Sequence, residues 1–230
     1  MTRTRVRSLA GLALVSTFLL TGCGSVPGFN PGVAVRVDDD TVTVQHVDDL
    51  ADDYCGAAEA QLQAGQVLPN HYLRGEVAGS LALRAVANQL LDEYDVEIDN
   101  QYDDAVAQAK TQLASLPADQ RDALIEVQGA TIYVSSVERA IGHAILAQEG
   151  TDQSGQDDAA QAAGQKAFGA WVADHDIRID PRFGVEIVKD QTVIADTDVS
   201  FAQGDTATKA DAKTPDTDYA AALPDSQRCG

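Results

Sequence analysis

A long, regular apolar stripe in the middle of the chain constrains its fold more than any other feature. Within the segment from Ala118 to Gln148, apolar residues recur alternately four and three positions apart. They are Ala123, Val127, Ala130, Val134, Val137, Ile141 and Ala144. This near-heptad spacing puts them on one face of a helix, where they suit close packing against a second helix. We therefore predict one long helix over Ala118–Gln148 and a core that lies between helices.

The same periodicity predicts four other helices, and β-branched runs predict two short strands. The helices cover about Gln45–Gln63, Asn70–Tyr94, residues 100–116 and Asp157–Asp174, and the strands cover Val33–Val37 and Asp176–Asp180. The second helix carries two apolar stripes, which indicates a central position in the bundle. The expected class is mainly α with a small β element. Val185–Val188 and Val193–Val199 are compatible with a further strand or hairpin.

The first 22 residues have the pattern of a secretory signal peptide. Three arginines precede an apolar run, Leu9 to Leu20, that is too short for a comfortable transmembrane helix. The run ends in Leu20-Thr21-Gly22-Cys23, which resembles the lipobox of bacterial lipoproteins. The resemblance implies cleavage before Cys23, diacylglycerol on its sulfur and a fatty acid such as palmitate on the new amino group. An ordinary signal peptide or an uncleaved anchor are the alternatives.

This interpretation predicts a protein tethered to the outer face of the cell membrane, with the lipid bilayer as a partner through acylated Cys23. Two or more acyl chains anchor a protein stably. Residues 23–32 are rich in proline and glycine and form the expected tether. A helical domain is expected over residues 33–181. Residues 182–230 show little apolar periodicity and are expected to form an acidic, loosely structured tail.

The charge of the chain excludes one class of partner. The 230 residues carry a formal net charge of −20, and the part that follows the predicted leader carries −23, because the leader has three basic residues and no acidic ones. Such a surface repels the phosphates of nucleic acid. We therefore expect no nucleic-acid binding.

The cysteine content predicts a disulfide. If Cys23 is acylated, Cys55 and Cys229 are the remaining thiols, and pairing is favoured in an oxidising compartment. Such a bond would tie the tail back onto the first helix. The alternative for Cys55, which lies on an apolar stripe, is a small buried core residue.

The sequence contains no recognised motif for catalysis or metal binding. The four histidines (His46, His71, His143 and His175) lack zinc-ligand spacing, and no nucleophile elbow, phosphate loop or dinucleotide fingerprint occurs. The segment that starts at Asp95 fails as a calcium loop, because Asn100 and Val106 stand where glycine and glutamate are required. We expect no enzymatic activity, no cofactor and no metal site, and we leave weak divalent binding by the acidic clusters open.

A family resemblance adds to this pattern. The stretch Val33–Leu116 resembles the N-terminal domain of the SurA/PrsA family of extracytoplasmic chaperones, most closely over Val77–Ala109. The positions that match are Leu83, Ala87, Leu90, Tyr94, Val96, Ile98 and Asp99. Phe168–Ile179 resembles the closing helix and strand of that family. The family often has glycine at the position of Asp95, and it often has Asn-Gly at the position of Asp39-Asp40.

The resemblance implies a SurA- and trigger-factor-like helical peptide-binding domain. It lacks the parvulin prolyl-isomerase domain, for which there is no room between Gln148 and Asp157. The expected function is chaperone-like (holdase) binding of exported, unfolded polypeptides, with groove walls from helices one, two and four and peptide-binding residues unassigned. The alternative is an envelope scaffold with a closed helical bundle, whose tail from Val185 binds another protein or the cell wall. A small-ligand carrier is disfavoured by the few aromatic residues. An exposed, contiguous apolar surface would distinguish the first two.

Overall fold

The computed structural model of the chain describes residues 32–62, 66–150, 155–195, 204–210, 212 and 214–230. The predicted signal peptide, Cys23 and the tether as far as Pro31 lie outside the described residues. Lipidation at Cys23 therefore stays a prediction.

Helices dominate the described part of the chain, which confirms the mainly α class. In chain order they are α1 (Val44–Glu59), α2 (Asn70–Tyr94), α3 (Gln101–Gln112), α4 (Ala118–Gln128), α5 (Ala130–Gln148), α6 (Asp157–Asp174), α7 (Asp205–Ala210) and α8 (Thr217–Ala222). The bounds of α2 and α6 agree with those that periodicity predicts. Among the described helices, none is both long enough and apolar enough to cross a bilayer.

Short antiparallel strands supplement the helices. They are β1 (Val33–Val37), β2 (Asp40–Thr43), β3 (Leu68–Pro69), β4 (Ile177–Ile179), β5 (Val185–Val188), β6 (Gln191–Ile194) and β7 (Arg228–Cys229). β1 is the central strand of a three-stranded sheet in the order β2-β1-β4, with Val35 opposite Ile179 and Val37 opposite Ile177. This pairing brings the strand that precedes α1 next to the strand that follows α6.

The core is arranged around α2, which packs against α1, α5, β1 and the β5–β6 hairpin. Both of its apolar stripes are buried, as their sequence pattern predicts. The buried side chains include Leu73, Val77, Leu81, Leu83, Val86 and Leu90. Phe168 of α6 is the largest fully buried side chain and belongs to the same core.

The predicted helix over Ala118–Gln148 is wrong in one respect, because Gly129 divides it into α4 and α5. A Cβ atom at position 129 would lie 2.3 Å from the carbonyl oxygen of Ile125, so a larger residue there would require the backbone to shift. The interruption lets the two halves pack mainly on different neighbours: α4 packs mostly on α1, whereas α5 packs mostly on α6 and α2. Of the predicted stripe, every residue from Ala123 to Ile141 is buried.

The segment 182–230, for which a loosely structured tail is predicted, includes regular elements in its described part. Its described part contains the β5–β6 hairpin on α2, the short helices α7 and α8, and β7, which pairs with β3. Val185–Val188 forms a strand of the hairpin with which its sequence is compatible, whereas α7, α8 and β7 are too short to show periodicity. Their order comes from tertiary contacts, among them the burial of Ala220 and Cys229.

A disulfide joins Cys55 of α1 to Cys229 of β7, with 5.6 Å between the Cα atoms. The bond attaches the end of the chain to its first helix, which is the role expected for it. Pairing of Leu68 with Cys229 and of Pro69 with Arg228 holds the same segment beside the start of α2.

Candidate functional site

A groove of about 840 Å³ lies between α2, the α4–α5 junction and the hairpin strand β6; we call it the hairpin groove. Its α2 wall consists of His71, Tyr72, Gly75, Glu76, Ser80 and Leu83. The junction contributes Val127, Gln128, Ala130 and Thr131. The C-terminal segment contributes residues 183–185, residues 190–194, Ala210 and Ala212. The groove thus combines the central helix with a part of the chain for which loose structure is predicted.

Two glycines on α2 allow the C-terminal segment to approach the helix closely. A Cβ atom at Gly75 would lie 2.6 Å from the carbonyl oxygen of Phe183, and one at Gly79 would lie 2.3 Å from the side chain of Thr192. Larger residues at these positions would push the hairpin away from α2. The pair therefore sets the distance between the two walls of the groove.

The groove presents apolar side chains to solvent. The large apolar residues that are exposed in the described part of the chain are Tyr72, Ile132, Val188 and Ile194. Tyr72 and Ile194 line the groove, and Ile132 directly follows its residue Thr131. Leu83 and Val127, both buried, also line it. Exposed apolar side chains that gather in one concave place are typical of a binding surface.

A hydrogen-bonded polar cluster lies at the groove wall. The Tyr54 hydroxyl donates to Glu76 Oε1 at 3.0 Å, and Gln128 Nε2 donates to the Tyr54 hydroxyl at 3.3 Å. Burial raises the pKa of Glu76, although the Tyr54 hydrogen bond opposes the rise. Burial also raises the pKa of Tyr54 to about 12, against the hydrogen bond from Gln128 and with a smaller contribution from the charge of Glu76. The three side chains link α1, α2 and α4 behind the apolar surface.

The charged groups of the groove are acidic. Glu76 and Asp190 are its carboxylates, and no lysine or arginine occurs among the described residues that line it. With a chain net charge of −20, the electrostatic potential in the groove favours cationic ligands over anionic ones.

On the other side of the hairpin, a buried carboxyl group of α5 lies close to the hairpin turn. Glu138 of α5 is 1% exposed, its Oε2 accepts a hydrogen bond from Gln161 at 2.6 Å, and Asp190 of the hairpin turn lies near it. Burial, followed by the negative charge of Asp190, raises the pKa of Glu138 to about 7, against the hydrogen bonds from Gln161 and Gln165. At neutral pH and below, a proton on this group therefore relieves repulsion between the turn and α5.

The residues singled out in the sequence are distributed over the fold. His71 lines the groove, and His46 lies in the first turn of α1. His143 approaches Asp157 at 3.2 Å, and His175 ends α6, where its ring stacks on Trp171. Of the expected walls, α2 and the α4–α5 junction line the groove directly. Helix α1 contributes Tyr54 from behind.

One group of side chains brings three possible metal-ligand atoms within 4.8 Å of one another among the described residues: Cys55, Glu59 and Cys229. The two sulfur atoms are bonded to each other. They therefore offer no thiolate to a metal ion, and in this oxidised state the group is a disulfide with a carboxylate beside it.

The β5–β6 hairpin is the wall of the groove that the sequence pattern does not predict. The available signal is the pair of glycines on α2, four residues apart on one helical face, which indicates that something packs closely there.

Comparison of the chain with protein-family models, with curated proteins and with solved structures finds no match.

Proposed function

We propose that the protein is a membrane-anchored, non-catalytic lipoprotein of the cell envelope that binds exported, incompletely folded polypeptides in the hairpin groove. The observation that carries the proposal is the groove itself, because it exposes Tyr72 and Ile194 to solvent beside a buried apolar wall. In a closed helical bundle without a binding surface, two large apolar side chains are not expected to be exposed at the rim of one concavity.

The dimensions of the groove suit a short extended segment. Along α2 it reaches from His71 to Leu83, which is roughly 18 Å at the helical rise per residue. Five or six residues of extended chain cover about the same length. So small an apolar contact gives weak binding with little sequence selectivity, which is what a holdase for diverse clients requires.

The resemblance to the SurA/PrsA family, and to trigger factor, is consistent with the same proposal. Within the stretch that carries the resemblance, a strand (β1), an amphipathic helix (α1) and a long central helix (α2) occur in that order, with the short strands β2 and β3 between them. Helix α5 ends at Gln148 and α6 begins at Asp157, so no isomerase domain separates them. The proposed activity is therefore holding, without prolyl isomerisation.

The scaffold alternative is less well supported. It assigns partner binding to the tail from Val185, but much of the described tail already makes intramolecular contacts. The β5–β6 hairpin packs on α2, and Cys229 is bonded to Cys55. A tail that is occupied in this way has less surface to offer a second protein.

The test is light scattering by an aggregating, chemically unfolded client in the presence of the purified protein. Wild-type protein is expected to suppress aggregation at near-stoichiometric amounts. Ile194→Asp, which puts a charge in the groove at a residue that is 44% exposed, should lose this effect. Val188→Asp is the matched control, since it makes the same kind of change in the same hairpin, at 46% exposure and outside the groove.

The outcomes separate the two functions. Suppression by wild type and by Val188→Asp, but not by Ile194→Asp, supports holdase binding in the groove. Equal suppression of aggregation by both variants would show that the client site lies outside the groove. If an equally acidic control protein performs as well as wild type, or if wild type does nothing, the holdase proposal fails and the scaffold alternative takes its place.

A further inference from the structure

The outer edge of β6 forms one rim of the hairpin groove. Four consecutive residues of the strand, Gln191 to Ile194, line it. Successive side chains of a strand point to opposite faces, so a concavity that touches all four meets the edge of the strand rather than one face. Gln191 and Val193 also line a second cleft on the other side of the hairpin, as expected for residues at an edge.

The hydrogen-bonding pattern of the hairpin determines which backbone groups point into the groove. The Ala195 amide donates to the Gly184 carbonyl at 3.0 Å, which makes this a hydrogen-bonded pair. Such pairs alternate with non-hydrogen-bonded pairs in an antiparallel ladder. Given the register in which Ile187 lies opposite Thr192 and Val185 opposite Ile194, these two pairs are non-hydrogen-bonded.

The amide and carbonyl groups of Thr192 and Ile194 therefore point away from β5, toward the groove. The sheet has two strands, β5 and β6, within the described chain. No described backbone group forms a hydrogen bond with either residue on that side. An exposed row of amide and carbonyl groups is a template for one more strand.

We propose that the hairpin groove takes up its polypeptide as an added β-strand on the outer edge of β6, and that it prefers segments in which apolar side chains alternate with lysine or arginine. This inference rests on the proposed function and specifies its binding mode. Alternate side chains of such a strand would lie against α2, next to Leu83 and Val127, and the others would face outward. Asp190 in the hairpin turn and the chain net charge of −20 account for the preference for basic residues.

The first test uses fluorescence anisotropy with a labelled ten-residue peptide of alternating valine and lysine. Two N-methylated versions are compared with it: one is methylated at every valine and the other at every lysine. The alternating pattern holds the register, since a slip by one residue would turn the lysines toward the apolar wall. Only one set of amides can face β6. One version is therefore expected to bind like the parent peptide, and the other about tenfold or more weakly, because it loses its hydrogen bonds to β6.

A pair of protein variants tests the same edge from the other side. Ile194→Pro removes the outward-facing amide, and Ile194→Ala removes the same side chain but keeps the amide. Proline is tolerated at an edge position whose N–H faces solvent, and a thermal melt of each variant verifies the fold. The alanine variant is expected to bind the parent peptide about tenfold more tightly than the proline variant.

The charge preference has its own comparison. A peptide with glutamate at every lysine position should bind about tenfold or more weakly than the parent at low salt, and the difference should shrink in high salt. Equal binding of the lysine and glutamate peptides would overturn the charge preference.

These outcomes distinguish failure of the inference from failure of the proposed function. If both N-methylated peptides bind like the parent, or if Ile194→Pro binds like Ile194→Ala, strand addition is wrong while groove binding stands. If the parent peptide does not bind, strand addition is overturned. The aggregation assay then decides separately whether the groove holds clients in another way.

Discussion

Gly164 of α6 lies directly against the backbone of Glu138 on α5: a Cβ atom at position 164 would be 1.8 Å from the Glu138 carbonyl oxygen. Gly142 of α5 faces Ala160 of α6 in the same way, at 1.7 Å. The two helices therefore cross in contact at two glycines. This crossing places the Glu138 side chain between α5, α6 and the hairpin turn.

Gly164→Ala is expected to destabilise the protein strongly. The added methyl group meets backbone atoms that cannot move without separating the helices, which should cost about 3 kcal/mol or more in the free energy of unfolding. Urea denaturation followed by circular dichroism measures it. Gly169→Ala on the same helix is the control, since its nearest contact would be an ordinary 3.7 Å. The control should be neutral or stabilising by up to about 1 kcal/mol; equal losses at both positions would contradict the close crossing.

Stability should depend on pH through Glu138. Its pKa is raised from 4.5 to about 7, first by burial and then by the charge of Asp190. The folded state therefore binds more protons than the unfolded state between these two values. Stability consequently falls as pH rises through this window and levels off above it. The loss is about 3 kcal/mol for a shift of this size.

The variant Glu138→Gln isolates this effect. It removes the titrating group and leaves every other carboxyl in place, so the difference in unfolding free energy between the two proteins reports Glu138 alone. Relative to wild type, the free energy of unfolding of Glu138→Gln is expected to rise steadily from about pH 4.5 to pH 7. Denaturant titrations at several pH values measure this difference. A difference that does not change with pH would show that Glu138 titrates normally in the folded protein.

Val134→Asp should unfold or severely destabilise the protein, by about 3 to 5 kcal/mol. Val134 is 4% exposed, so the substitution buries an unpaired carboxylate in the core. Ile132→Asp is the matched control on the same helix, at 51% exposure, and should change stability by no more than about 0.5 kcal/mol. Thermal melts compare the two. An unchanged melting temperature for Val134→Asp would mean that the stripe of α5 is not core.

Cys229→Ser should lower stability under oxidising conditions only. The bond to Cys55 closes a loop across 174 residues, and the chain-entropy contribution for a loop of this length is about 5 kcal/mol at most. Thermal melts with and without reductant compare the variant with wild type. The two proteins should differ without reductant and converge in its presence. A deficit of equal size in both conditions would have to come from the serine itself rather than from the missing bond.

Much of the helical part of the fold could be predicted because its signal is local. α2 and α6 show apolar residues at helical spacing from one end to the other, and their bounds follow from it. The break at Gly129 escaped prediction because the stripe keeps its spacing across it, from Val127 to Ala130. A glycine within a helical pattern costs only about 1 kcal/mol and often leaves the helix intact.

The hairpin wall of the groove could not be predicted, for the opposite reason. Its walls come from α2 and from a hairpin far along the chain, and the contact between Gly79 and Thr192 that joins them leaves no periodic trace. The four-residue spacing of Gly75 and Gly79 marks a face where something packs closely, but the sequence does not say what. Among the described pieces of the tail, the β5–β6 hairpin packs on α2, and β7 is held by the Cys55–Cys229 bond.

Local patterns were enough to predict the mainly helical class, the central position of α2, two strands at the ends of the helical domain and two cysteines able to pair. All of these follow from the composition and spacing of neighbouring residues. The point at which the long stripe divides, the packing of the hairpin on α2 and the edge of β6 that faces a groove became apparent in the folded chain. These features depend on contacts between residues distant in the chain, whose energies no local pattern encodes.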